Sequence, residues 1–590
     1  MKKVFEANIT HQVLDYLNDN IESVFSIEKA NQKMFDAFGF LHFFDNTEDL
    51  QLLKETLSIS PNIISEPDRA EYGDFQTNTE LANKVAFQLK TKNISPDIVL
   101  EPTCGKGNFI LACLKQFTGI KKVFGIEIYK PYVWQTKFNI IDFYLSNPTK
   151  NKPEISIIHS SVFDFDFKTI YKENHTKEIL IIGNPPWVTN SKLGSLNSLN
   201  LPKKTNFKNH NGLDAITGKG NFDISEYITM MMIETFQHQK GNIALLVKNT
   251  VIKNIVFDQF RKKFSISNIE KYRIDSKMEF NVSVEASLFY CRLNSNSTFG
   301  CAEFDFYNNS NAKLNFGWIS NKFVSNFSAY SNTEQIDGKC PFEWRQGIKH
   351  DCSSIMELDN VNGYFINGLK EKIKLENDLV YGLLKSSDLK NSVINEIRKH
   401  IIVTQKKVGQ ETNYIKYDFP KTYKYLSGHQ DVFSARKSSI YKNKPPFSIF
   451  GVGDYSFKPY KVAISGLYKT FHFTLVLPQN GKPVMLDDTC YMLGFDKLEF
   501  AIYSLMLLNC EKTTQFLQSI TFADAKRTFT KDVLMRIDLL KLTQIIDKAK
   551  LQRKLNYINE TYNFDLTLNY WNDFVSEMTP KKHGQMKLFA

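Results

Sequence analysis

The chain has 590 residues, enough for two or three domains, and its 42% apolar content suits globular domains with sizeable cores. Eight cysteines without a Cys-x-x-Cys pair argue against a disulfide framework and against a zinc site. No apolar run reaches the ~18 residues of a membrane span and no signal peptide is recognisable, so a soluble, cytoplasmic protein is expected, while a net charge of +11 favours an anionic partner such as DNA.

Residues 1–65 follow a helical pattern and carry no motif, so they either cap the domain that follows or touch the anionic partner. Asp97-Ile98-Val99-Leu100-Glu101 reads as a short buried strand ending in an acid. Pro102-Thr103-Cys104-Gly105-Lys106-Gly107 then makes a turn, and Asn108 to Leu114 a helix. Gly105 and Gly107 let backbone approach a ligand closely. The turn is neither a Walker loop, which needs Gly-Lys-Ser/Thr, nor the three-glycine dinucleotide fingerprint. Cys104 sits where alanine or serine would serve, so it is given no redox role.

A second strand, Val123 to Ile128, places Glu127 near its end, where an acid can accept both hydroxyls of a ribose. Glu154 to His159 is a third strand, followed by Ser160-Ser161-Val162-Phe163-Asp164. The fourth, Glu178 to Gly183, runs into Asn184-Pro185-Pro186-Trp187. Strands alternating with helices at this spacing predict an open, mainly parallel α/β sheet whose ligands sit beyond the strands' carboxyl ends.

The tetrapeptide carries the chemistry. Asn184 offers a side-chain oxygen, Pro185 a carbonyl without a competing N–H, and Trp187 a flat face. That set suits a planar ring with an exocyclic amine, such as adenine. Such an amine is a poor nucleophile because its lone pair is delocalised. Two acceptors on its two N–H groups draw the nitrogen towards tetrahedral geometry and localise the pair.

Residues 188–222 are polar and read as a loop beside this site. A Met-rich helix after Asn221-Phe222-Asp223 is read as core packing, and Gly241 to Val247 and Glu285 to Leu293 as further strands. Phe280, just before the last of these, is either a second aromatic closing the pocket or an ordinary core residue.

Together these segments resemble the gamma-class amino-methyltransferases, the N6-adenine DNA methyltransferases that use S-adenosylmethionine. Glu101 to Phe109 is similar to that family's motif I, Glu127 to its ribose-binding acid, and Asn184-Pro185-Pro186-Trp187 to its catalytic motif IV. Tyr72-Gly73-Asp74-Phe75-Gln76-Thr77 resembles motif X, which covers the methionine end of the cofactor. The resemblance covers residues 66–295 and implies a Rossmann-like S-adenosylmethionine-dependent methyltransferase domain. It implies cofactor contacts from Thr77, Glu101, Thr103, Gly105, Gly107, Glu127 and Asn184, and catalysis by Asn184, Pro185, Trp187 and Phe280 on a base flipped out of double-stranded DNA. The family's acid for the cofactor's adenine amine aligns with Ser161, with Asp164 three residues on, and either is a candidate. Asn78 stands where motif X usually has proline, and Trp187 where tyrosine or phenylalanine is commoner.

Residues 296–590 are needed by no cofactor site, and no insert separates Gly107 from Asn184, so an α+β target-recognition region is expected there. Its candidate contacts are the basic segments Trp344 to Lys349 and Arg436 to Ser439, and the turn Phe450 to Phe457 with Lys458, Tyr460 and Lys461 after it. Residues 500–575 regain helical periodicity. No nuclease constellation is evident, so a cognate restriction endonuclease would be a separate chain. Two rivals remain. One is a methyltransferase acting on protein glutamine or RNA, with a similar Asn-Pro-Pro-aromatic motif but usually a shorter chain. The other is a DNA-binding subunit with an inactive domain, against which the intact Gly105, Gly107, Glu127, Asn184 and Trp187 argue. Cytosine N4 offers the same two hydrogens as adenine N6.

Overall fold

The computed structural model describes residues 7–57, 76–149, 151–189, 223–308, 312–361, 363–394, 396–522 and 527–579. The chain divides into two compact units, Met1–Phe323 and Val324–Ala590.

In the first unit, helices α1 (His11–Ile21), α2 (Ile27–Phe38) and α3 (Thr47–Leu57) precede α4 (Thr79–Thr91). Then come β1 (Ile98–Glu101), α5 (Asn108–Gln116), β2 (Lys122–Glu127), α6 (Lys130–Ser146), β3 (Glu154–His159), α7 (Phe167–Asn174) and β4 (Ile179–Gly183). The chain continues with α8 (Ile224–Phe236), β5 (Gly241–Lys248), α9 (Asn249–Lys262), β6 (Ile266–Arg273), α10 (Ser276–Phe280) and β7 (Ala286–Leu293). Strands β8 (Gly300–Asp305), β9 (Leu314–Ile319) and β10 (Lys322–Val324) follow. The sheet order is β10-β9-β8-β6-β7-β5-β4-β1-β2-β3. Strands β3, β2, β1, β4 and β5 are parallel, as the strand–helix alternation predicts, while β7 enters antiparallel between β5 and β6. Because β8 pairs with β6 and β9 with β8, the sheet continues beyond residue 295 within the first unit.

The buried runs explain the strands. Every residue of β1 and β4 is buried, so helices must cover both faces. Val99, Leu180, Ile182 and Leu246 pack with α4, α5 and α6 in one apolar cluster. Asn78, the departure from motif X, caps α4 by accepting from Leu81 N at 2.7 Å.

The N-terminal helices belong to the same unit. α1 buries Val13, Leu17 and Ile21, and α2 buries Ala30, Met34 and Phe38, each set spaced on one helix face. The chain after α2 continues the sheet beyond β3, since Phe40 bridges Ile155 in parallel and Leu41 N donates to Ile155 O at 3.0 Å. It also docks on α6. Lys137 is fully buried with Nζ donating to Phe43 O at 2.7 Å, and Lys130 pairs with Asp49 at 2.7 Å. Of the two readings of this segment, the capping one describes these contacts.

The second unit is α+β. A five-stranded sheet orders its strands as Arg345–Gln346, Cys490–Phe495, Tyr460–Ser465, Thr474–Val476 and Val393–Ile394. A six-stranded sheet is built on Glu357–Val361, Lys399–Ile402 and Val380–Leu384. Helices from Leu498–Leu508 to Trp571–Met578 follow, matching the helical periodicity of residues 500–575. No helix among the described residues is long and apolar enough to cross a membrane.

Lys461, a candidate DNA contact in the sequence, is instead fully buried, with Nζ donating to Lys458 O at 2.6 Å. Burial lowers its ammonium to about 7. The unfolded chain keeps that proton to roughly pH 10. Between the two values the unfolded state holds more protons, so stability rises with pH. Lys461→Met removes the buried amine. Its stability advantage over the wild type is expected to shrink as pH rises from neutral, by up to about 1.4 kcal/mol per pH unit. Thermal unfolding of both proteins across pH checks this; a difference independent of pH would mean that the lysine titrates normally.

Candidate active site

Strand order reverses between β1 and β4, which diverge to neighbours on opposite sides, and a crevice opens beyond their carboxyl ends. A cavity occupies it, lined by residues from all four of the strand ends that meet there. The turns after β1, β2, β3 and β4 all reach its wall.

The turn after β1 is held from several directions. Cys104 N donates to Ile126 O at 2.9 Å, and Gly107 N to Cys104 O at 2.7 Å. Glu127 Oε2 accepts from Gly105 N and Oε1 from Tyr129 N, both at 2.8 Å. The acid at the end of β2 therefore ties the glycine turn to its own strand. From α6, Thr136 Oγ1 donates to Gly105 O at 2.8 Å, and Asn139 Nδ2 to Lys106 O at 2.9 Å. The face of α6 that grips the turn belongs to the helix that carries the N-terminal segment.

Gly107 caps α5 in the left-handed region, at φ +79°. A Cβ there would lie 2.6 Å from Cγ2 of the fully buried Thr136. Gly107→Ala is expected to destabilise by about 1–2 kcal/mol from the backbone alone, and further through that overlap. Adding Thr136→Ser removes Cγ2 but keeps a hydroxyl for Gly105 O, so it should recover only the overlap part. Thermal unfolding of the single and double variants separates the two terms; a Gly107→Ala protein as stable as the wild type would contradict both.

Glu101 is buried beneath the turn, with Oε2 accepting from Ile110 N at 3.3 Å. Burial holds its carboxyl well above the usual range against that hydrogen bond, and the charge of Glu127 adds to the rise. Burial likewise raises the Cys104 thiol well above its ordinary value, which keeps it an unreactive thiol, as expected. Thr103 Oγ1 is buried on the wall with no hydrogen-bond partner among the described residues. An orphaned hydroxyl facing a cavity is costly unless a ligand meets it.

Across the cavity stand Asn184, Pro185 and Pro186. Asn184 Nδ2 donates to Thr77 Oγ1 at 3.2 Å, and Asn108 Nδ2 to Thr77 O at 2.7 Å. Thr77 thus joins the tetrapeptide to the start of α5 and orients the amide so that Oδ1 is its acceptor end. Trp187 is buried, with Nε1 donating to Leu246 O at 3.1 Å. Phe280 meets it edge-on, ring centres 4.9 Å apart at 70°. The two aromatics named from sequence do meet, but as a T and not as two parallel walls.

Of the expected site residues, Thr77, Glu101, Thr103, Gly105, Glu127, Asn184 and Pro185 line one cavity. Gly107 stands behind the wall as the helix cap. Ser161 and Asp164 are not on the wall. Ser161 Oγ accepts from Phe163 N at 3.2 Å, Asp164 is exposed, and Ser160, Val162 and Phe163 face the cavity instead. The wall also includes Tyr129, Tyr132, Ile224 and Ile228, which sequence reasoning did not single out. Ile224 and Ile228 carried a signal, an apolar i, i+4 pair opening the helix after Asp223. Of motif X, Tyr72 to Phe75 lie outside the described residues, as do residues 190–222 of the polar loop. That loop's ends meet at the site: Thr189 bridges Asp223, and Ile224 N donates to Val188 O at 2.8 Å.

The basic segments of the second unit are largely engaged internally. Trp344 is fully buried beside Phe473, and Arg345 pairs with Glu343. Arg436 donates to Ser448 O at 2.7 Å and stacks on Tyr441 at 3.7 Å. Lys458 pairs with Asp496.

No family model matches the chain. Among solved structures it is similar to the Type IIL restriction-modification enzyme MmeI in complex with DNA, at 13% identity and a TM-score of 0.46 over 86% of this chain and 68% of that one. It is also similar to the type IIG restriction endonuclease BpuSI, at 12% identity and a TM-score of 0.33 over 97% and 74% of the two chains. Among curated proteins it is 41% identical over 483 residues to the Type II methyltransferase M.NspV of Nostoc sp., spanning 82% of this chain and 99% of the relative. Identity at that level over nearly the whole of the relative establishes that the chain belongs to the Type II methyltransferase family.

Proposed function

We propose that the protein is a gamma-class DNA methyltransferase that moves a methyl group from S-adenosylmethionine to N6 of an adenine flipped out of double-stranded DNA. The observation that carries this reading is one cavity bounded on one side by Glu127 and the glycine turn and on the other by Asn184 and Pro185. A nucleoside cofactor and a target amine would share that space.

The residues fit the cofactor. Glu127 is an acceptor for ribose hydroxyls, the orphaned Thr103 Oγ1 awaits a polar partner, and Gly105 and Thr77 bring backbone and hydroxyl to the wall. The cofactor supplies a methyl on a sulfonium, which is a good leaving group. Asn184 Oδ1 and the Pro185 carbonyl accept the two N–H groups of the target amine and localise its lone pair. Thr77, by accepting from Nδ2, keeps the Asn184 oxygen aimed at the amine. Positioning and fixed dipoles are the main source of rate in such a site.

Trp187 is the stacking surface, and stacking offsets part of the few kcal/mol spent on flipping a base. Phe280 packs against Trp187 in a T-shaped contact and so helps to hold that ring in place. A cognate endonuclease, on a separate chain, would cut the same sequence when unmethylated.

Transfer of labelled methyl from S-adenosylmethionine to unmethylated DNA, followed by nucleoside analysis, tests the reading. N6-methyladenine is the expected product. N4-methylcytosine would keep the pocket and change the base. Label only in RNA or protein would overturn the DNA assignment.

A further inference from the structure

Most cations that the sequence offers for DNA contact in the second unit are spent inside it. Besides Arg345, Arg436, Lys458 and Lys461, Lys399 pairs with Asp359 at 2.8 Å and Lys385 with Glu357 at 2.6 Å. Two adjoining loops behave differently. Lys406, Lys407, Lys442 and Lys444 are exposed, and their side chains make no hydrogen bond, ion pair or ring contact among the described residues.

The first loop is built to hold its shape. Gln405 is fully buried although it is polar. Its Oε1 accepts from Ile449 N at 2.9 Å, and its Nε2 donates to Gln410 O. Gln410 Oε1 accepts in turn from Lys406 N at 2.7 Å, and Gln410 N donates to Lys407 O at 3.2 Å. The two glutamine side chains close the loop in place of a strand ladder. Gly409, at φ +81° with open space around it, makes the turn. Lys406 and Lys407 project from this brace, and the apolar Val408 stands 46% exposed at the tip.

The second loop rises from the same base. Thr404 Oγ1 donates to Phe447 O and Thr412 Oγ1 to Pro446 O, both at 2.7 Å. Residues 446–449 are therefore the floor to which both ends of the first loop are tied. Lys442 and Lys444 stand just before that floor, on either side of Asn443 in the left-handed region at φ +58°. Four unpaired cations thus share one edge, with Glu411 as the acidic residue between Lys406 and Thr412. An ordinary solvated lysine face needs no buried polar brace. A surface that must meet a rigid polyanion in register does, because ordering it beforehand lowers the entropic cost of binding.

We propose that the loops Gln405–Gln410 and Tyr441–Phe447 form a DNA-contacting edge of the second unit, with Lys406, Lys407, Lys442 and Lys444 on backbone phosphates. This rests on the reading of the protein as a DNA methyltransferase. Each lysine that neutralises a phosphate releases about 0.9 of a counterion from B-form DNA, so its loss has a defined signature in salt.

The experiment is duplex binding by fluorescence anisotropy over a salt series, with the full chain and two separate variants, Lys406→Gln/Lys407→Gln and Lys442→Gln/Lys444→Gln. Thermal unfolding checks that each is folded, and having two variants keeps one sound readout if the other is not. The expected result for each is weaker binding on every duplex tested and a logarithmic salt slope shallower by about 2. Wild-type affinity and slope in both folded variants, while the wild type binds and methylates DNA, would overturn the assignment of this edge alone. A wild type with no affinity for duplex DNA would bring down the functional reading and this edge together.

Discussion

Asn184→Ala is expected to lower methyl transfer by about 10²–10³-fold, the usual loss when one preorganised dipole is taken from a reacting centre. The argument starts from geometry. Asn184 stands at the end of the fully buried strand β4, and its Nδ2 is held by Thr77 Oγ1. Its oxygen is thereby aimed without a conformational search when substrate arrives. On the proposed reading alanine removes one of the two acceptors for the target amine and leaves only the Pro185 carbonyl to localise the lone pair. The loss should fall on kcat in single-turnover experiments, because the interaction strengthens as the nitrogen becomes tetrahedral. Cofactor affinity should change little, since Glu127 and the glycine turn hold the far end of the cavity. Thr77→Val should reproduce a smaller part of the kcat loss by releasing the amide. An Asn184→Ala enzyme within tenfold of wild type would remove Asn184 from the chemistry.

Glu127→Ala is expected to weaken S-adenosylmethionine binding by about tenfold to a hundredfold, the range for losing hydrogen bonds to a charged acceptor. It should also destabilise the protein without ligand. The carboxylate accepts from Gly105 N and Tyr129 N, so its removal leaves two N–H groups without their acceptor, at about 1–3 kcal/mol for each that stays buried. Glu127→Gln separates the two roles. Its single oxygen can keep the Gly105 bond, so stability should be partly restored while ligand affinity stays low. Titration calorimetry with S-adenosylmethionine and thermal unfolding read the two effects independently. Wild-type affinity in Glu127→Ala would show that this acid holds the turn and not the ribose.

The glycine-turn half of the cavity was legible in the sequence because its determinants are local. A strand that must be buried is written as an apolar run, a backbone turn at φ +51° and +79° is written as Gly105 and Gly107, and an acid at a strand end is written at that end. Chain order added the parallel sheet, and Asn184-Pro185 fell on the same cavity as Glu127 because both close parallel strands that flank β1. What stayed hidden was long-range. Nothing near residue 161 tells that Ser160, Val162 and Phe163 face the cavity while Ser161 turns to cap its own loop. Nothing in residues 1–65 tells that Phe40 extends the β3 edge or that Lys137 is buried under Phe43.

Charge was the least legible property. In sequence, Arg436 and Lys461 look as available to DNA as Lys406 and Lys407. Folding turns the first two onto backbone carbonyl oxygens and leaves the other two in water. The sequence by itself determined the strands, the glycine turn and the Asn-Pro-Pro-Trp tetrapeptide at a strand end, because backbone conformation and side-chain chemistry are properties of a few consecutive residues. Only the tertiary structure decided which aromatics meet, which segment caps the sheet and which cations remain unpaired, because burial and partnership depend on residues far away in the chain.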